Sequence, residues 1–486
     1  MVARAGESAG QPPPDGSTGT SGTAAHDAAS STDGAASVPH RASSGPRVLV
    51  EVSDTVTLPY TTGMQRVARE LLARLAPSTN EPPTFTPVVW SPGVDWFRTL
   101  NPGEADALAH PQERLPASTA MARRFPAPVA TAVRRVLAIP AMRDLRGRAR
   151  LVAHRRAERA FTDLVVAPPD SSTVLLDLEA GWNDPEPRNR LLPTLHRAGG
   201  SSAVLVADVL PMLRPEWFDG VLVRDFERYV RAHLRHSDLF LCISERTRSD
   251  LEQVAEDCGI RRDLDARVIP LGSDIVQRSA AGGGTDRPSG AAPADVGPPI
   301  GRYLLMVGTI EPRKNQHLAI DVFDALAERH PDLGLVLVGK RGWKVDDLIQ
   351  RIESHPELGR RLLWLEEVDD ARLGRLYREA TVSLTPARYE GLGMTVTEAL
   401  QSGTPVVSST AGALPEAGGD AAEYADPDDV RGWIHLVERH LDDEQHHAAA
   451  RARAAAHVPH TWDDSAAAVR AAMAERFLAR TGARVG

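Results

Sequence analysis

TVSLTPARYEGLGMTVTEALQSGTPVVSS (381–409) decides the fold. The run 381–386 is apolar and β-branched and reads as a buried strand. Glycines at 391 and 393 break it, and 393–402 then carries helical spacing of apolar residues. TPVVSS (404–409) is a second buried strand. Strand, turn, helix and strand in under thirty residues is a βαβ unit, which requires a parallel sheet covered on both faces.

The same alternation extends to both sides. Upstream lie YLLMVG (303–308), LGLVLVG (333–339) and RLLWL (361–365), with helices expected at about 313–329, 345–354 and 369–379. Further upstream, QRSAAGGGTDRPSGAAPADVGPP (277–299) has the composition of a flexible linker and marks a domain boundary. Beyond it the alternation appears again in RVLVEV (47–52), FTPVVW (85–90), TVLLDL (173–178), SAVLVADVL (202–210), DLFLCIS (238–244) and ARVIPLG (266–272). Helical spacing falls at 63–75, 218–236 and 245–257. The expected fold is α/β, with two Rossmann-like doubly wound domains facing a central cleft.

The expected domains are a tail (1–45) too polar to offset its ordering entropy, a first domain (46–276), the linker, a second domain (300–460) and a C-terminal helix (461–486). The first domain contains a less regular basic insertion at about 98–170. Eleven arginines stand against two acids between 121 and 160. Two readings are open for that run: a solvated helical face, or a patch facing anionic phospholipid or a lipid-pyrophosphate acceptor.

Composition narrows the function classes. Of 486 residues 42% are hydrophobic and 25% charged, as in soluble globular proteins, and the net charge is −9, unlike a general nucleic-acid binder. Two cysteines, Cys242 and Cys258, allow neither a disulfide framework nor a CxxC metal site. No signal peptide or run of 18 apolar residues is recognised, so the expectation is a cytoplasmic protein, with peripheral contact at the inner face of the membrane through 121–160.

Two motifs carry chemistry. In VGTIEPRKN (307–315) a strand ends at Val307, Gly308 allows close backbone approach, and Pro312 suits a helix start. Arg313 and Lys314 are then expected in the first helical turn, where the dipole opposes cations and a bound anion would offset that penalty. The motif reads either as a diphosphate clamp or as two exposed basic residues. In YEGLGMTVTEALQSGTPVV (389–407) Glu390 precedes Gly391 and Gly393, the opening helix offers free amides to a phosphate, and Glu398 lies eight residues on. Carboxylates are poor phosphate ligands but good hydroxyl acceptors. They are expected on either side of a diphosphate, one for a sugar and one for a ribose.

These motifs, with SGTPVV (402–407) and GGDAAEYADPDD (418–429), resemble the donor-binding domain of retaining GT-B glycosyltransferases of family four. That family includes sucrose synthases and many bacterial mannosyltransferases. The resemblance is strong over 303–475 and looser over 47–275. It implies that Arg313, Lys314 and Glu390 are catalytic, the two cations binding the diphosphate and Glu390 contacting sugar hydroxyls. Gly308, Thr309, Gly391, Leu392, Gly393, Met394 and Thr395 would line the donor site, and Glu398 would hold the ribose.

In the first domain TGMQRVAREL (62–71), LVADVLPMLRPEWF (205–218), ISERTRSDL (243–251) and VIPLGSD (268–274) resemble a subgroup of bacterial polysaccharide glycosyltransferases. They make Gly63, Gln65, Arg66 and Asp208 candidates on the acceptor side. The family's usual His or Tyr is Ala207 here, so that residue's role does not transfer, and Asp208 either orients a sugar or is structural. The architecture implies that the last helix, expected near 465–480, crosses back to the first domain, with Trp462 as a packing anchor.

The implied reaction moves a hexosyl group from a nucleoside-diphosphate sugar to a saccharide or lipid-linked acceptor, with retention and with neither cofactor nor metal. The subgroup points to a mannose- or rhamnose-type sugar in cell-envelope polysaccharide assembly. GDP-, UDP- and dTDP-sugars stay open as donors. A sugar-nucleotide epimerase of the same architecture and a non-catalytic glycan-binding protein are the alternatives.

Overall fold

A computed structural model of the chain describes residues 46–57, 63–75, 83–91, 93–110, 163–179, 181–183, 185–273 and 301–478. The expected tail (1–45), the arginine-rich run (121–160) and the linker (277–299) lie outside these residues.

The described residues form two sheets. The first comprises β1 (Arg47–Glu51), β2 (Thr84–Ser91), β3 (Trp96–Thr99), β4 (Thr173–Asp177), β5 (Ser201–Val206), β6 (Leu239–Cys242) and β7 (Ala266–Val268). Their order is β3-β2-β1-β4-β5-β6-β7, parallel except for β3, which runs antiparallel to β2. The second sheet comprises β8 (Arg302–Val307), β9 (Leu333–Val338), β10 (Leu362–Leu365), β11 (Val382–Thr385), β12 (Val406–Ser409) and β13 (Glu423–Ala425), in the fully parallel order β10-β9-β8-β11-β12-β13. Central strands such as LGLVLV and TVLLD are buried along their whole length, because helices cover both faces.

In each sheet the strand order reverses once, between β1 and β4 and between β8 and β11. Chains leave the two strands flanking such a point in opposite directions, which opens a crevice at their carboxyl ends. In the second sheet the segments leaving that crevice are 308–315 and 386–393, which contain both sequence motifs.

Several boundaries differ from expectation. The region after 98 is not irregular at its start. β3 closes the sheet edge, and the helix Pro102–Ala109 follows, held by a capping box between Asn101 and Glu104. A four-residue edge strand carries no readable periodicity, and this one precedes the arginine-rich run. β7 covers only three residues of the expected seven-residue strand, and β13 and the helices Val430–Asp442 and Glu444–Ala456 were not anticipated. The last helix, Trp462–Met473, starts three residues earlier than expected because Thr461 and Asp464 cap it reciprocally.

That helix packs in the core of the first sheet. Trp462, Val469 and Met473 are buried with Val67, Leu71 and Leu72 of the helix Gly63–Leu75. Trp462 is 1% exposed, so Trp462→Ala should destabilise the protein by about 3–5 kcal/mol through the cavity it leaves. Chemical denaturation followed by far-UV circular dichroism measures this, and an unchanged midpoint would remove the anchor role.

Candidate functional site

The site is built first from the segment after β8. Gly308 turns the chain, and Gln316 donates to the Thr309 carbonyl at 2.9 Å, holding the loop against the next helix. Arg313 and Lys314 do not lie in the first turn of that helix, contrary to expectation. They occupy a separate 3-10 turn, Pro312–Lys314, and the helix runs Gln316–Leu326. Between them Asn315 is left-handed (φ 62°). Its side-chain amide donates to the carbonyls of Pro386 (3.2 Å) and Pro427 (2.9 Å), which fix that conformation. The helix dipole therefore does not set the energetics of the two cations.

Both cations point instead at Glu390. Arg313 donates to its carboxylate at 2.5 Å, to the Tyr389 carbonyl at 2.9 Å and to Glu311 at 2.6 Å. Lys314 pairs with the other Glu390 oxygen, and its stem lies over Gly308. The Arg313 carbonyl accepts from Arg388, so the two motif loops are also joined through the backbone. Burial alone would raise the Glu390 pKa, but Arg313 and Lys314 outweigh it and hold it below the usual carboxylate range. Burial would likewise lower Arg313, and Glu390, Glu311 and Asp208 together raise it. Arg313 and Glu390 therefore stay charged, and with Lys314 they make a compact ion cluster rather than two free cations.

Gly393 then opens the helix Met394–Gln401 with φ 101°, a conformation suited to glycine. No side chain caps this helix, so the first-turn amides at Met394 and Thr395 face the crevice without such a cap. Leu392 packs against the core of the first sheet. Glu398 is buried, accepts from Arg66 and from the Tyr377 hydroxyl, each at 3.2 Å, and has its pKa raised by burial against the opposing Arg66 charge.

Among the four first-domain candidates, Arg66 hydrogen-bonds to Glu398 of the second domain. Gly63 opens the helix Gly63–Leu75. Gln65 is buried and donates to the Asp54 carbonyl at 3.3 Å. The Asp208 carboxylate accepts from Leu210 N at 3.0 Å, shaping the turn after β5, while burial raises its pKa against the pull of Arg313.

Other residues at the site had no assigned role in the sequence. The Gly391 carbonyl accepts from Ser244 Oγ (2.6 Å) and Thr247 Oγ1 (3.1 Å) across the interface. Glu416 accepts from the Glu245 and Arg246 amides at 2.8 Å, capping the helix Glu245–Asp257 from the opposite domain. Ser244 as an N-cap was the readable signal; its partner was not. At the first sheet's reversal a buried polar cluster joins Glu51, Asp177, Arg188 and His233, and Glu179 accepts from the Asp54 and Thr55 amides. Burial pushes Glu179 up to about 8. Beside this cluster an apolar cavity of about 180 Å³ is lined by Trp182, Ala207, Asp208, Phe226 and Tyr229.

Two Rossmann-like domains closed over ion-lined crevices at their strand ends are the architecture of GT-B glycosyltransferases. A sucrose-phosphate synthase from Thermosynechococcus elongatus has the same fold, with a TM-score of 0.51 at 17% identity over 89% of this chain and 100% of that one. Residues 298–457 match the family model of group 1 glycosyl transferases. It is 29% identical over 259 residues to the serotype-specific mannosyltransferase WbdA of Escherichia coli, covering 51% of this chain and 31% of WbdA. It is 30% identical over 259 residues to the O-antigen chain mannosyltransferase B of Escherichia coli, covering 51% of this chain and 64% of the relative. The chain thus spans about a third of the first relative and less than two thirds of the second. No helix among the described residues is long and apolar enough to cross a membrane.

Proposed function

We propose that the protein transfers a hexosyl group, with retention, from a nucleoside-diphosphate sugar to an acceptor hydroxyl in the synthesis of a cell-envelope polysaccharide or glycolipid. The observation that carries this reading is the convergence of Arg313, Lys314 and Glu390 at the strand-order reversal, beside the uncapped amides of the helix Met394–Gln401. A diphosphate entering there exchanges the cations' contact with Glu390 for contact with phosphate oxygens and uses the Gly393, Met394 and Thr395 backbone. Gly308 and Thr309 border the same space, and Glu390, once released, accepts from sugar hydroxyls. Glu398 takes the ribose hydroxyls while keeping Tyr377 as its support.

In the transfer the bond from the anomeric carbon to the phosphate oxygen breaks, and a bond to the acceptor oxygen forms on the same face. The acceptor proton passes to the departing phosphate oxygen. Arg313 and Lys314 stabilise the charge that develops on the diphosphate, so the reaction needs no metal at this site. The acceptor approaches beside Ala207 and Asp208, where the apolar cavity suits a lipid-linked or aglycone-bearing saccharide. The arginine-rich run 121–160 is a candidate for peripheral contact with an anionic inner membrane face. The mannosyltransferase relatives favour a mannose-type donor.

The test is a panel of GDP-, UDP- and dTDP-sugars with the purified chain and no acceptor, scored for release of nucleoside diphosphate. Slow hydrolysis of one donor, accelerated by acceptor, is expected. Interconversion of the donor sugar without release, or binding of none, would overturn the reading.

A further inference from the structure

Away from the donor crevice, three imidazoles and a carboxylate lie together, His440 buried and Glu423, His446 and His447 half-buried. Glu423 is the first residue of β13, at the amino end of an edge strand, whereas the donor loops leave the carboxyl ends. His440 lies in the last turn of the helix Val430–Asp442, and His446 and His447 lie in the first turn of Glu444–Ala456. The His440 ring centroid is 4.7 Å from that of His446 and 5.7 Å from that of His447.

Their donor atoms are left over. His440 is buried with neither ring nitrogen hydrogen-bonded, and Glu423 Oε2, His446 Nε2 and His447 Nδ1 are also buried without hydrogen-bond partners. Five such atoms in one place are unusual, because buried polar groups are normally paired. The donor atoms of Glu423, His440 and His446 lie within 4.8 Å of one another. His446 Nε2 is 3.0 Å from Glu423 Oε1, and His440 Nε2 is 3.7 Å from Glu423 Oε2. A tetrahedral zinc ion with bonds of about 2.0–2.1 Å separates its ligands by roughly 3.4 Å, close to the 3.7 Å between His440 Nε2 and Glu423 Oε2.

We infer that Glu423, His440 and His446 form a structural site for a divalent transition-metal ion, with zinc as the best match. Two imidazoles and one carboxylate suit zinc and its neighbours rather than magnesium or calcium, which take oxygen ligands. The ion ties the edge strand β13 to the two helices that cover it. Two arginines contact the other polar atoms of the same side chains. Arg453 donates to Glu423 Oε1 at 2.8 Å, leaving Oε2 to the metal. Arg439 donates to His446 Nδ1 at 3.0 Å. Metal binding at Nε2 moves the ring proton to Nδ1 and turns Arg439, which is exposed, outward to solvent.

The experiment uses the full chain without a histidine tag, stripped with chelator and titrated separately with Zn²⁺ and Co²⁺. One equivalent per chain is expected, with the visible absorption of tetrahedral Co²⁺ and a melting temperature that rises with free metal. His440→Gln and Glu423→Gln should each lose the bound equivalent and the metal-dependent rise in melting temperature. His330→Gln should keep both, since His330 belongs to a different group with Glu438 and Asp442. Circular dichroism of the metal-free variants separates lost binding from lost folding, and His446→Gln repeats the test if one variant fails to fold. Absence of stoichiometric binding, or binding that survives the ligand replacements, would overturn the site. Donor turnover is independent of either result, because Glu423 stands at the opposite ends of the strands.

Discussion

Lys314→Ala should lower kcat by about 10²–10³-fold, the usual effect of removing one group that stabilises developing negative charge in a dry pocket. Lys314 is half-buried over Gly308 and faces Glu390. Glu390→Gln separates two effects that a simple clamp would not. In the ligand-free protein the Glu390 carboxylate satisfies both cations and competes with a diphosphate for them. Its neutralisation should tighten binding of the product nucleoside diphosphate by about tenfold, some 1.4 kcal/mol, while transfer falls by about 10²-fold or more. Calorimetry with the diphosphate beside steady-state turnover reads both quantities. Equal weakening of product binding and turnover would show that Glu390 only holds the cations in place.

Gly391→Ala should abolish transfer, with a loss of at least about 10²-fold, and leave each domain folded. Across the interface an added Cβ falls well inside van der Waals contact of the Ala207 carbonyl oxygen and crowds the Asp208 Cβ at 3.2 Å. The Ala207 oxygen is backbone at the end of β5, so it cannot rotate away, and relief requires the two domains to separate. That separation moves Arg66 from Glu398 and draws the Ser244 and Thr247 hydroxyls from the Gly391 carbonyl. Ser244→Ala is the matched control. It removes the Ser244 bond to the Gly391 carbonyl and its N-cap contacts with Thr247 without adding bulk, and should cost only a small part of the activity. Turnover and small-angle scattering together decide the outcome. A Gly391→Ala protein with normal turnover would show that closure at this contact is not needed.

Much of this architecture was readable along the chain. Runs such as LGLVLV (333–338) are too apolar for any place but a doubly covered parallel strand, so the α/β class follows from composition and period. The glycines of YEGLGM mark where the backbone must turn, and Gly393 does adopt a positive φ at the head of a helix. Trp462 as a buried anchor was also legible, because a large apolar residue beside a cap seldom stays in solvent.

What escaped was short or non-local. β3 and β13 have four and three residues, too few for a period to show. Asn315 reads as an ordinary helix residue until the carbonyls of Pro386 and Pro427 are brought against it. Arg66 and Glu398 are 332 residues apart, and Ser244 and Gly391 are 147 apart. Local propensity carries no information about such pairs, because they form only when two separately folded sheets close on each other. The sequence alone therefore determined the longer strands of the two sheets, many of their helices and the residue types at the donor crevice. Tertiary structure alone decided that Glu390 lies between both cations rather than apart from them, and that Glu398 is held from the other domain. Charge balance in a buried site depends on which groups share it, and that is a property of the closed fold.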